Sequence, residues 1–172
     1  MRRSLAKIAV VLVAVVVVVG AASFLRARAR IDRVWDIPPP AIVAATSADA
    51  IARGERIFMA ACFDCHVSSE TGKVSGGKMP GDSGELYAAN LTADTGGGIG
   101  ALSDELLARV IRTGVRRDGR IALGMPAFPA MGDADVAAVL GFLRSSPPPP
   151  VLEPVATKQP ASTLTLAGTM RH

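Results

Sequence analysis

Hydrophobic positions along this chain fall into four blocks of differing period. The first is continuous: 18 residues from Ile8 to Leu25, mostly Val and Ala, carry no charge. As a helix the run spans about 27 Å, close to the roughly 30 Å hydrocarbon core of a bilayer. Valine's modest helix propensity in water is no obstacle, because lipid leaves the backbone no partner but itself. The second block is amphipathic. Ile51, Gly54, Phe58 and Ala61 recur at helical spacing, with Ile57 beside them, and predict a helix over 48–61. Ser47 is its N-cap, and Asp49 in the first turn suits the helix dipole. Gly54 costs about 1 kcal/mol inside a helix, which points to a second helix crossing closely there.

The third block is the stripe Leu106, Leu107, Val110 and Ile111, with Arg109, Arg112 and the pair Arg116-Arg117 expected to face outward. Ser103 is its N-cap and Gly114 its C-terminal stop. The fourth is Val136, Val139, Leu140 and Leu143, with Phe142 alongside. That helix starts at Asp133 as N-cap and runs to about Arg144, ended by Ser145-Ser146 and the prolines 147–150. Residues 67–102 show no period. Glycines 72, 76, 77, 81, 84 and 96–98 mark a long loop there, with one short helix expected at Glu85–Ala89. A loop this long in a compact domain needs something to wrap around.

These blocks divide the chain into a basic lead (1–7), the apolar segment (8–25), an Arg- and Pro-containing linker (26–46), a globular domain (47–147) and a Pro-rich, disordered tail (148–172). Pro38-Pro39-Pro40 reads as a stiff spacer that holds the domain off the bilayer. Trp35, the only tryptophan, rests either at the membrane interface or on the domain. The apolar run is either a retained transmembrane anchor or a signal segment with small residues Gly20-Ala21-Ala22 at its cleavage site. No internal repeat is evident.

Charge sharpens this division. The net +4 is concentrated at the front: residues 1–36 carry +5, residues 47–146 carry −2 and the tail carries +1. The globular part has no basic patch with interleaved aromatics, so nucleic acid is not an expected partner. A domain this near neutral also steers a protein partner only weakly. Around the apolar run, Arg26, Arg28, Arg30 and Arg33 outnumber Arg2, Arg3 and Lys7 by one, a slight lean toward a cytoplasmic C-terminal side.

The chemistry is concentrated in Cys62-Phe63-Asp64-Cys65-His66, which holds both cysteines and one of the two histidines. C-x-x-C-H is the attachment signature of c-type haem: two thiols add across the vinyl groups and the histidine ligates iron. A thioredoxin-like dithiol belongs beside a βαβ pattern, which is not predicted here. A zinc site would need a second ligand pair, and a disulfide across two residues would be strained and leave His66 unexplained. Cys62 and Cys65 are therefore read as thioether attachments of one haem c, with His66 as an axial ligand.

For the sixth position, His172 ends the chain in the tail and is discounted, which leaves a methionine thioether. Met59 is too near Cys62 to reach the opposite face, and Met131, abutting the last helix, suits core packing. Met79, in the glycine-rich loop, remains a second candidate. Met125 lies 59 residues after His66, in an inter-helix loop stiffened by Pro126, and is the leading one. Paired His66 and Met125 would close the iron to oxygen or peroxide. An open distal position would instead make a haem enzyme or gas sensor.

The order of helix, C-x-x-C-H, long loop, helix, Met-Pro loop and final helix resembles the monohaem class I cytochrome c domain. More closely, it resembles membrane-associated cytochrome c proteins and subunits that serve bacterial dehydrogenases. The likeness is carried by Ile51-Ala52-Arg53-Gly54-Glu55-Arg56-Ile57-Phe58, Asn90-Leu91-Thr92, Thr113–Arg120, Met125-Pro126 and Asp133–Arg144, and covers about residues 47–147. It implies an all-α fold of three main helices around one covalent haem, with Gly54 and Phe58 meeting the Phe142 region where the first and last helices cross. Members usually place Pro before Asn-Leu-Thr; here Ala89 stands there. That departure loosens an assignment of Asn90 to the haem shell, the alternative being a turn asparagine; Arg116, Arg117 and Arg120 read as a solvated face in preference to partners of the haem propionates.

The resemblance further implies a non-catalytic electron carrier linking a periplasmic dehydrogenase, as donor, to an oxidase or another cytochrome in the respiratory chain. No small-molecule substrate is expected. Covalent haem attachment in bacteria takes place outside the cytoplasmic membrane, which outweighs the one-residue arginine margin. The haem domain is thus expected in the periplasm, held to the inner membrane by the N-terminal helix, or soluble there after signal cleavage.

Overall fold

The computed structural model describes residues 2–171; Met1 and His172, the histidine discounted as a ligand, lie outside the described residues. The first helix, α1 (Arg2–Asp32), extends seven residues beyond the uncharged run. Nothing in Arg26–Asp32 breaks a helix, and Arg28 pairs with Asp32 one turn on at 2.8 Å. Its valines are bare, Val16 being 70% exposed. Residues Ala6–Asp32 are long and apolar enough to cross a membrane, with a mean hydropathy of 3.0 over 18 residues.

The domain is built on the crossing of α2 (Ala48–Ala61) and α5 (Asp133–Leu143). Ser47 caps α2, its hydroxyl accepting from the Ala50 N–H. A Cβ on Gly54 would lie 1.9 Å from the carbonyl oxygen of Ala138, so only glycine permits this approach. One turn on, Phe58 is fully buried and its ring meets Phe142 at a centroid distance of 5.2 Å, tilted by 48°. Such a pair contributes about 0.5–1.5 kcal/mol beyond its area burial.

The third main helix, α4 (Asp104–Thr113), packs on α5, with Ser103 as its N-cap and Gly114 in the left-handed region (φ 67°) at its C-cap. Between α2 and α4 lie the one-turn α3 (Phe63–His66) and three two-residue strands, β1 (Gly77–Lys78), β2 (Gly84–Glu85) and β3 (Tyr87–Ala88). The short helix expected at Glu85–Ala89 is thus replaced by strands. β3 pairs with β1, and β2 with β4 (Thr163–Leu164), both antiparallel. These ladders draw on partners distant in sequence, which no local period reports.

Two segments read as peripheral are packed on the domain. The linker does not stand off as a spacer. Trp35 N–H donates to Gly119 O at 2.7 Å, Ala45 N–H to Ala137 O at 2.8 Å, and Ile42 enters the core. The reason is α5, whose side chains from Val136 to Leu143 are buried nearly all round except Ala137. A helix apolar on every side needs a cover behind it as well as α2 and α4 in front. A Cβ on Gly141 would fall 2.4 Å from Ala45 O, which shows how closely the linker lies.

The tail is likewise ordered, not disordered. Pro150–Leu152 form a 3₁₀ turn that puts Leu152 in the core, β4 follows, and α6 (Leu166–Arg171) packs against α1. Low hydrophobicity did not prevent this, because the tail is held by hydrogen bonds to the glycine-rich loop, from side chains as well as backbone.

Two helix details also differ from expectation. Arg109, expected outside, is 7% exposed and donates to Ile37 O at 3.0 Å and Arg116 O at 2.7 Å, so it fastens the linker to α4. At α5 the cap position belongs to Gly132; Asp133 sits in the first turn, where it pairs with Arg112.

Gly54→Ala gains helix propensity but forces α2 away from Ala138. The expected net result is a loss of about 1–3 kcal/mol, read as a lower denaturant midpoint.

Candidate haem-attachment site

The C-x-x-C-H segment begins where α2 stops. Cys62 closes α2 with its N–H on Phe58 O at 2.8 Å, and its backbone (φ −123°, ψ −36°) turns the chain into α3. His66 N–H returns to Cys62 O at 3.2 Å and Val67 N–H to Phe63 O at 2.8 Å, so both cysteines and the histidine share one turn. Cys62 and Phe63 pack on the core, whereas Cys65 is exposed. The motif is therefore rooted on the buried Phe58 end of α2 and open on its other side.

Burial, reinforced by the neighbouring Cys65, pushes the Cys62 thiol up to about 11. A dithiol redox centre works through a depressed thiol pKa, so this environment disfavours thiol exchange. Among the described residues, no three His, Cys, Asp or Glu side chains are grouped to hold a metal ion. The trio is not arranged as a small-ion chelate.

His66 is 8% exposed, and its Nδ1 lies 2.8 Å from Ala89 O. A carbonyl can only accept, so Nδ1 carries the proton and Nε2 is the basic nitrogen. Burial lowers the histidine pKa, with the Ala89 bond acting more weakly in the other direction. The imidazole is thus held neutral and oriented, the state in which histidine ligates a metal. These residues fit a covalently held haem: two thiols on one turn, and a neutral imidazole fixed from its far nitrogen.

The carbonyl that holds His66 is itself built in. β3 precedes Ala89 and is paired with β1, while Leu91 N–H donates to Val74 O at 2.8 Å just after it. Gly76, at φ 75°, donates to His66 O at 2.9 Å, and a Cβ there would lie 2.3 Å from Ala88 O. Asn90, left by the sequence between haem shell and turn, is 2% exposed and fully bonded. Only its place beside the motif-like Leu91-Thr92 hinted at that.

Met125 lies apart from this turn. It lines a cavity of about 360 Å³ whose wall runs from Thr113 and Gly114 to Ile121–Ala127. Cys62, Cys65 and His66 are not part of that wall. The loop is braced by Ala122 N–H to Gly114 O at 2.7 Å and Met125 N–H to Ala122 O at 3.2 Å. Gly124, at φ 80°, faces Met79: its Cβ would stand 3.3 Å from the Met79 sulfur. The two candidate ligands are therefore neighbours. Met131 packs against the core and Met59 is exposed on α2. Arg116, Arg117 and Arg120 lie in solvent, and Trp35 sits on the domain beneath the Arg33 guanidinium, 4.2 Å from its ring centroid.

Residues 49–143 match the family described as cytochrome C oxidase, cbb3-type, subunit III. One of the subunits of nicotinate dehydrogenase from Pseudomonas putida is 37% identical over 120 residues, which cover 65% of this chain and 10% of that protein. The cytochrome c subunit of a quinone-type alcohol dehydrogenase from Gluconobacter oxydans is 29% identical over 126 residues, 70% of this chain and 25% of the relative. The cytochrome subunit of fructose dehydrogenase from Gluconobacter japonicus is 27% identical over 128 residues, 71% of this chain and again 25% of the relative. The chain thus spans between a tenth and a quarter of the length of these relatives.

Because burial lowers the His66 pKa, an unfolded chain takes up a proton that the folded one refuses. Stability should therefore fall as pH drops through about 6.5 and be regained above it. Denaturant midpoints of haem-free protein between pH 5 and 7.5 check this; His66→Gln should flatten the dependence.

Proposed function

We propose, from the premise that this chain belongs to the cytochrome C oxidase, cbb3-type, subunit III family, that it carries electrons by one haem c bound through Cys62 and Cys65. His66 and Met125 are the axial ligands in this reading. The observation that carries it is the buried His66, held by Ala89 O directly after two cysteines on one helical turn. Bound there, the haem supplies a one-electron couple whose potential is set by its ligands and surroundings.

The chain's own residues do the rest. Cys62 and Cys65 hold the group to the end of α2, Ala89 O keeps the His66 nitrogen directed, and the braced 121–127 loop presents a soft thioether. With both axial positions filled by side chains, the domain is not itself an enzyme. It fits a class I arrangement in which α2, α4 and α5 surround the haem. The two-residue strands lie outside these three helices, β1 pairing with β3 within the 67–102 loop and β2 with β4 of the tail.

The named relatives are subunits of dehydrogenases, which supports a dehydrogenase as donor and an oxidase or other cytochrome as acceptor. The bare apolar surface of α1 supports retention as an inner-membrane anchor with the haem domain in the periplasm.

Met125→Ala should leave haem attached but abolish the weak far-red band by which oxidised His/Met cytochromes report the iron–sulfur bond, and should lower the midpoint potential. Met79→Ala should preserve the band. Loss of the band in Met79→Ala alone would reverse the ligand assignment, and a high-spin parent spectrum would favour the open-site haem enzyme or sensor. In membrane fractions, full-length protein should require detergent for release, and its mature N-terminus should precede Ile8 by mass spectrometry.

A further inference from the structure

The proximal carbonyl of Ala89 is held from outside the three-helix core of the domain. Asn90, the next residue, donates from Nδ2 to Val155 O at 2.7 Å and to Thr157 O at 3.1 Å. Its Oδ1 accepts from Thr92 N at 2.9 Å and Thr92 Oγ1 at 2.7 Å. The same Thr92 hydroxyl accepts from Val155 N–H at 3.2 Å. Asn90, Thr92 and Val155 therefore close a ring of hydrogen bonds in which the buried amide has no unused donor.

More of the tail follows the same path. Lys73 pairs with Glu153 at 2.6 Å, and Gln159 Nε2 donates to Ser75 O at 2.9 Å, next to the Gly76 that bonds His66 O. Two residues before Ala89, Tyr87 N–H donates to Ser162 Oγ at 2.9 Å. A Cβ on Gly97 would lie 2.4 Å from Thr157 O, so the two backbones are in contact there. The peptide that orients His66 is bracketed by tail contacts on both sides.

We infer that the C-terminal segment 153–162 is a positioning element for the haem's proximal ligand: through Asn90 it fixes Ala89 O and thereby the Nδ1–H bond of His66. This rests on the reading of His66 as an axial ligand. The consequence has a definite sign. A firm Nδ1–H bond makes imidazole a stronger donor and stabilises oxidised iron. Loosening it raises the midpoint potential. Unpacking that merely lets water reach the haem acts oppositely, because water favours the more charged oxidised state.

The test uses detergent-solubilised full-length protein and two variants. Asn90→Asp keeps the oxygen for Thr92 but sets a second oxygen against two carbonyls; truncation after Pro154 removes those carbonyls while leaving Leu152. In both, exchange of the His66 Nδ1 proton, followed by NMR, should quicken at least tenfold and the potential should rise. Thr165→Ala, which cuts tail bonds to Asp82 O and Ser83 O and the Gly168 N–H bond within the tail, should change neither. In the parent, the His66 Nδ1 proton and the Val155 amide proton should exchange at one common rate. That measurement decides the matter if the variants do not accumulate. Exchange within twofold of the parent in variants that retain low-spin haem, separate parental rates, or a fall in potential would each overturn the inference. Absence of covalent haem or of a histidine ligand would instead overturn the functional reading beneath it.

Discussion

Everything else in this domain depends on a backbone oxygen lying where a side chain would be. At Gly54, α2 rests against Ala138 O of α5, and the approach is closed to every residue with a Cβ. That contact sets the depth at which Phe58 and Phe142 meet, and Phe58 O in turn receives the N–H of Cys62. The start of the attachment turn is therefore fixed by the crossing of two helices. Side-chain packing alone would tolerate a methyl group more or less; backbone against backbone does not. The cost of a helix glycine, about 1 kcal/mol, is offset by this placement.

The same crossing explains why the linker is folded in. An α5 that presents apolar or small residues on almost every side cannot be covered by α2 and α4 alone. Residues 41–45 supply the remaining wall with Ile42, and two ionic groups pin them. Asp104 Oδ2 accepts from Ala44 N–H at 2.8 Å while Oδ1 takes the Arg144 Nε at 3.0 Å. Arg144 also donates to the carbonyls of Ile99 and Leu102. Half-buried and satisfied on several sides, this pair differs from the exposed Lys78–Glu85 pair, whose kind contributes little.

Where apolar residues recur with a helical period, the sequence was readable to the residue: α2 matches its predicted range, and Ser47, Ser103 and Gly114 are the caps expected. The C-x-x-C-H motif stands out by spacing alone, and Cys62–His66 do share one turn. What escaped was structure made by distant backbone partners. The Asn90 amide reaches residues 65 and 67 positions away, and β2 pairs across nearly 80. Polar, proline-containing segments with no period look alike whether they are free or pinned. Arg109 escaped for a related reason: a charged residue flanked by a hydrophobic stripe reads as solvated until backbone carbonyls from another segment are seen to receive it. Met79 and Met125 were separable only by loop context, yet Gly124 brings them together.

These unanticipated contacts bear on how the domain works. A carrier on a free tether can turn to meet several partners, at an entropic cost for each productive orientation. Here the chain leaving α1 is tied to the domain at Trp35, Ile37, Ala44 and Ala45, and the tail returns through β4 to place α6 against α1. Arg120 also reaches Asp32 O at the end of α1. Attachment at both ends of the chain gives the domain a fixed aspect relative to the apolar helix. A near-neutral domain gains little from long-range steering, so a fixed aspect is the more effective means of presenting its redox site. That combination suits a carrier held in one orientation better than one swinging between distant partners.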